Sequence, residues 1–398
     1  MKKFNLLIAL ALLAGTIAVL PAIADAQDDK AAQQTEFERN WYDICYTKKD
    51  TEKCYQLSKE LNEKYPGSQY KVNAEKNVKN YDLNSAWKKF NDALGAYYKG
   101  PDVGKLDALF AAGETFLNIE PDKTNPFHLF ATGHMGLAGR GAGMSQMYKD
   151  LDKIKKYADR AISLFGSTGS APDKWKTEYG SYVDPLRDLV KANLNQFLAY
   201  RLVETKGSRE EALSHIAKAI EVKGKDGDGW KDPYNYWMRA DVYSKEYEDL
   251  RKQYDALPDD QKTGDPGKAL LLKVNEVIDK ILPDYARTIA ASTKPDHKEY
   301  LTAATPQFES FWKFRTGVPE KGKDYVDTFK NDPTVAGPAI PAKVETTDMT
   351  APSAPVTSGA GVKVVTRAPG MAPGGKASAN GNGKTPPKAK PRKGRPRR

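Results

Sequence analysis

The stretch Leu198-Ala-Tyr-Arg-Leu-Val-Glu-Thr-Lys-Gly-Ser-Arg-Glu-Glu-Ala-Leu-Ser-His-Ile-Ala-Lys-Ala-Ile-Glu-Val222 decides the fold. An apolar helix end runs into Gly207, and a second helix then sets Ala212, Ile216, Ala219 and Ile220 on one face. Small side chains at Ala199, Ala212 and Ala219 let two antiparallel helices approach closely. The expectation is a helical hairpin whose apolar stripe needs further hairpins to cover it.

Outward from there, the 398 residues are 39% hydrophobic and 29% charged, with 21 Tyr and 6 Trp to fill a core. The net charge of +10 is unevenly placed. Residues 332–398 hold twelve Lys/Arg and three Asp/Glu, and residues 1–26 carry a net +1, so the body between is neutral. Basic character therefore belongs to the tail.

The N-terminus reads as an export signal: Lys2 and Lys3, an apolar run from Leu6 to Leu20, and Ala24-Asp25-Ala26 as a cleavage site before Gln27. Pro21 and the shortness of the run argue against a retained anchor. The mature chain is expected outside the cytoplasm, periplasmic or extracellular. The two cysteines, Cys45 and Cys54, then favour a disulfide over free thiols.

Helix–turn–helix patterns recur along the chain. Trp41, Cys45, Cys54, Ser58, Leu61 and Pro66 form one helix–turn–helix pattern, and Leu94, Gly95, Tyr98, Leu109, Gly113, Phe116 and Pro121 a looser second. A third spans about 125–165, with Ile154, Tyr157, Ala158, Ala161, Ile162 and Phe165 on its second helix. The anchor stretch is the fourth, and Tyr236, Ala240 and Tyr243 begin a fifth. Together these resemble the tetratricopeptide repeat (TPR), and Lys64–Tyr70 resembles repeat junctions of bacterial envelope proteins of that kind. The resemblance implies an all-α, right-handed superhelical solenoid of about five helix pairs over residues 36–330, after a flexible 27–35. It places Cys45 and Cys54 across a turn from each other.

The family's role is non-catalytic binding of a protein or peptide in the concave groove. Carrying its groove positions over gives Tyr234, Trp237 and Asp241 in the fifth unit and Asn193, Gln196 and Tyr200 in the fourth. Tyr236 takes the core position, which should turn Trp237 toward the groove. No cofactor is expected. The partner protein or peptide is not identified by these residues.

Other patterns fall short of chemistry. Gly133–Gly143 carries five glycines but neither a Walker sequence nor a third dinucleotide-loop glycine, so it reads as a connection or a close helix crossing. Asp226, Asp228 and Asp232 lack the Gly and Glu of a calcium loop. Glu309-Ser310 is similar to the catalytic pair of lytic transglycosylases, but the Gly-Leu-Met-Gln that follows in that family is missing. No enzyme is expected.

Around the later helices, Pro258–Gly267 reads as an insertion and Pro283 as the start of a new helix after Lys268–Leu282. Thr305-Pro306 should start a capping helix that Gly317 ends. From 331 onward the Pro/Ala/Gly-rich composition predicts disorder. The basic end, 384–398, closes with Lys390, Arg392, Lys393, Arg395, Arg397 and Arg398 and resembles an AT-hook with Lys393 in place of the first core Arg. That segment suits an anionic polymer, either nucleic acid or an envelope polyanion.

Overall fold

The computed structural model describes residues 29–167, 180–224 and 229–341. These are helical, with no strand among the described residues beyond an isolated bridge between Lys223 and Gly229. The chain divides into two compact units between Ser85 and Ala86.

In the first unit, helix α1 (29–42) passes into a π-helical turn, Asp43–Lys48. Lys49, at φ 56°, reverses the chain, and Asp50 caps α2 (Thr51–Lys64) by accepting from the Lys53 amide at 3.1 Å. Pro66 follows the end of α2, as expected. Ser68 then accepts from the Tyr70 amide at 3.1 Å just before α3 (Lys71–Lys99). Trp41, Leu61 and Ala74 form the buried core. The Trp41 indole donates to the Ser58 hydroxyl at 2.8 Å, so the small residue of α2 is also the partner of the large one on α1. Cys45 and Cys54 are joined by a disulfide with their Cα atoms 4.9 Å apart.

The second unit contains the end of α3 and helices α4 (Val103–Ile119), α5 (Pro126–Met144), α6 (Leu151–Ser167), α7 (Gly180–Glu204), α8 (Arg209–Ile220) and α9 (Pro233–Asp255). The helices α10 (Asp265–Ala291), α11 (Lys298–Thr316) and α12 (Gly322–Asp327) complete it. The anchor hairpin forms as read. Ala212, Ile216, Ala219 and Ile220 are buried, and Ser208 caps α8 through the Glu211 amide at 3.2 Å.

Cross-contacts sort these helices into two layers. In the first, Arg140 of α5 donates to Gln196 of α7, Gln196 to Asn235 of α9 at 2.9 Å, and Tyr234 of α9 meets Tyr300 of α11. In the second, α4 and α6 run side by side, joined by Asp107–Lys153 at 3.0 Å and Glu114–Arg160 at 3.3 Å. Three helices of the first layer also pack on the long helix that follows them, α5 on α6, α7 on α8, α9 on α10. This order is compatible with a helical repeat solenoid.

Four expectations change. Gly133–Gly143 lies inside the continuous helix α5, where missing side chains let neighbours in: a Cβ at Gly143 would sit 2.8 Å from the Phe197 ring, and one at Gly136 2.8 Å from Leu194. The close-crossing reading holds and the connecting-loop reading does not. Pro283 lies within α10, not at a new start. The lost N–H bond is tolerated there because Ile281 and Leu282 before it and Asp284 after it are buried. Helix α11 begins at Lys298 and runs through Pro306, because Tyr300 and Ala304 bury on the same face as Phe308. Gly317, at φ 68°, ends it as read. Finally, ordered contacts continue past 331: Arg287 donates to the Pro333 carbonyl at 2.9 Å and the Val335 carbonyl at 3.1 Å.

Candidate binding face

The first layer carries an aromatic cluster and a buried polar network. Asn125 caps α5 by accepting from the Phe127 amide at 2.9 Å, and Phe127, Phe130 and His134 then recur at three- and four-residue steps. Trp87 of α3 lies 4.8 Å from Phe127 and 5.7 Å from Phe130, and Phe130 lies 4.2 Å from His134. The Tyr98 hydroxyl reaches His134 Nδ1 at 3.4 Å. All five side chains are half-buried, each leaving an edge to solvent. Yet the protein around the His134 ring pushes its pKa down to about 4 by desolvation, and desolvation likewise raises that of Tyr98. An accessible ring inside a desolvated setting is a recessed one.

The polar network lies inside the layer. Gln196, with 2% exposure, accepts from Arg140 and donates to Asp232 at 2.9 Å and to Asn235 at 2.9 Å. Asn235 donates on to the Gly229 carbonyl at 2.9 Å. Asp232 also caps α9 through the Tyr234 amide at 3.0 Å. Tyr234 and Tyr300 pack over this network with ring centroids 5.8 Å apart, and burial raises both phenol pKa values.

Of the residues expected in a groove, Gln196, Tyr200 and Tyr234 come together in this network, Tyr200 close enough to Tyr234 to affect its ionisation, but all three are buried rather than presented to a groove. Asn193 is half-buried and donates to the Leu189 carbonyl of its own helix at 3.0 Å. Asp241 is half-buried beside Lys245 at 3.2 Å. Burial raises its carboxyl pKa against the pull of that lysine. Trp237 is buried in the same way, which corrects its expected turn toward the groove. Its side chain is 5% exposed and packs on Tyr285 of α10 with centroids 5.6 Å apart, because α10 covers α9 on that side as well. Tyr236 does take a core position, fully buried, with its hydroxyl on the Trp230 carbonyl at 2.7 Å.

The sequence reading missed Trp87, Phe127, Phe130 and His134. Their signal was the spacing of 127, 130 and 134 behind Asn125-Pro126, obscured by the glycines that follow. Lys390, Arg392, Lys393, Arg395, Arg397 and Arg398 lie outside the described residues, as do Asp226 and Asp228. Among the described residues no group of three or more His, Cys, Asp or Glu converges as a metal site would, and no helix is long and apolar enough to cross a membrane. No known protein family, no curated protein and no solved structure matches this chain.

Proposed function

We propose that this chain is an exported, non-catalytic binding scaffold of the bacterial envelope. In this reading its second unit is a TPR-like right-handed solenoid that takes a protein or peptide on the aromatic cluster of α3 and α5. The observation that carries the reading is the recessed aromatic run of Trp87, Phe127, Phe130, His134 and Tyr98. Half-exposed rings in a desolvated recess present large contact area at low entropic cost, which is the chemistry of peptide anchoring. The disulfide supports a home outside the cytoplasm.

Site-specific photo-crosslinking tests it. A benzoyl-phenylalanine at Phe130 should capture one defined partner in the native envelope, while the same probe at exposed Lys156 of α6 should not. Equal capture at both positions, or none at 130 in a folded variant, refutes the reading. Cleavage after Ala26 is checked by N-terminal sequencing of the mature protein.

A second activity is proposed for the tail, where the net charge of the chain resides. Weak, salt-sensitive binding of DNA or anionic vesicles should disappear when Lys384–Arg398 are deleted.

A further inference from the structure

The two sulfurs of the disulfide stand in opposite electrostatic settings. Cys45 lies in the last turn of the helical segment that ends at Lys48, where backbone carbonyls point outward. Cys54 lies in the first turn of α2, where amides do. The Asn77 side chain of α3 donates to Cys54 Sγ at 3.4 Å, and the Ser58 hydroxyl lies 3.8 Å from the same sulfur. The Asp50 carboxylate at this helix end works against a thiolate, but it is bound to the Lys53 amide at 3.1 Å and lies 3.7 Å from the Lys53 ammonium. Exposure differs in the complementary sense. Cys45 is half-buried in a turn whose next residues, Tyr46 to Lys49, are exposed, whereas Cys54 is buried at 9%.

We propose that this disulfide is a polarised exchange site, with Cys45 as the sulfur that forms mixed disulfides and Cys54 as the leaving and resolving thiolate. The reaction partner is a thiol or dithiol, including the dithiol of a disulfide-exchange protein. An incoming thiolate attacks Cys45 Sγ. A new sulfur–sulfur bond forms there, the Cys45–Cys54 bond breaks, and its electron pair leaves on Cys54 Sγ, held by Asn77 and the start of α2. A second external thiol then attacks the mixed disulfide and releases Cys45. Two electrons have passed to the protein and the dithiol has become a disulfide. Oxidation runs the same steps backward, so Cys45 carries the mixed disulfide in both directions. The leaving sulfur is the one whose thiolate is better stabilised, and the attacked sulfur belongs to the more exposed of the two residues.

The test uses the folded mature chain, oxidised, with glutathione as the attacking thiol. The reaction is stopped with acid, free thiols are blocked with N-ethylmaleimide, and the peptides are sequenced by mass spectrometry. Glutathione is expected on Cys45 and maleimide on Cys54, in about tenfold excess over the reverse arrangement. In Asn77→Ala that excess should shrink. Adducts shared equally, or favouring Cys54, overturn the proposal. So does the absence of any adduct on the folded chain under conditions where the urea-unfolded chain reacts.

Discussion

Arg239 grips Asp284 with both arms of its guanidinium, Nε to Oδ2 at 2.8 Å and Nη2 to Oδ1 at 2.6 Å. The carboxylate is 1% exposed and takes a third bond from Arg287 at 3.0 Å. Removing it takes both acceptors from the Arg239 guanidinium, while Arg287 keeps the Pro333 and Val335 carbonyls. Asp284→Ala should cost about 3–5 kcal/mol, read as a lower urea midpoint with an unchanged slope. Arg239→Met combined with Asp284→Leu should cost clearly less than Asp284→Ala alone.

Trp237→Ala should unfold the second unit more readily, by about 3–5 kcal/mol, because the indole fills space against Tyr285. Thermal melting and partner binding measured on the same variant separate the roles. A large melting drop fits the buried position, and an unchanged melt contradicts it.

His134 sets a pH dependence. Its folded pKa, about 4, lies below the ordinary value of 6.5. The unfolded chain therefore binds the proton first as pH falls. Stability is lost between about pH 6.5 and pH 4 and levels off below that, by at most about 3 kcal/mol, since the solvent-facing ring edge screens part of the effect. Burial lowers the pKa of His128 and His215 in the same direction, so the comparison must be with His134→Gln. That variant should lose less stability than wild type between pH 7 and pH 4.5 in urea titrations.

Two glycines should respond oppositely to alanine. At Gly143 the new methyl meets the Phe197 ring at 2.8 Å and Ile154 at 3.2 Å, and a loss of about 1–3 kcal/mol is expected. At Gly95 it meets nothing within 4 Å, and helix propensity should give a gain of about 0.5–1 kcal/mol. Paired melts of the two variants check both signs.

A chain ending at Pro341 keeps the Arg287 contacts to Pro333 and Val335, whereas one ending at Asn331 loses them. Only the shorter chain should melt earlier, by an amount equivalent to about 1–3 kcal/mol.

The all-helical class, the anchor hairpin, the α6 stripe and the cysteine pairing were legible because each rests on local spacing. Ser208, Gly207 and the run from Ala212 to Ile220 specify a cap, a turn and a buried face within one short window. The errors arose where a local rule met tertiary support. Glycines in α5 left a connection and a close helix crossing both open, and Phe197, Leu194 and Phe165, which fill the space they leave, decide for the crossing. Pro283 and Pro306 read as boundaries, yet buried neighbours on either side hold the helices together. Trp237 was placed by repeat position alone, which does not reveal how far α10 wraps around α9. The tail boundary was set too early because the carbonyls of residues 333 and 335 carry no compositional mark, while Arg287, their partner, is far away in sequence.

The disulfide closes a loop with a sequence separation of nine. Ring closure over so short a span needs no distant segment, and its chain-entropy cost is small. In a polypeptide that emerges N-terminus first, both sulfurs are available long before α4 to α12 exist. Closure of the bridge therefore does not depend on any segment that follows α2, and the α1–α2 hairpin can mature at its own pace while the rest of the chain is still arriving.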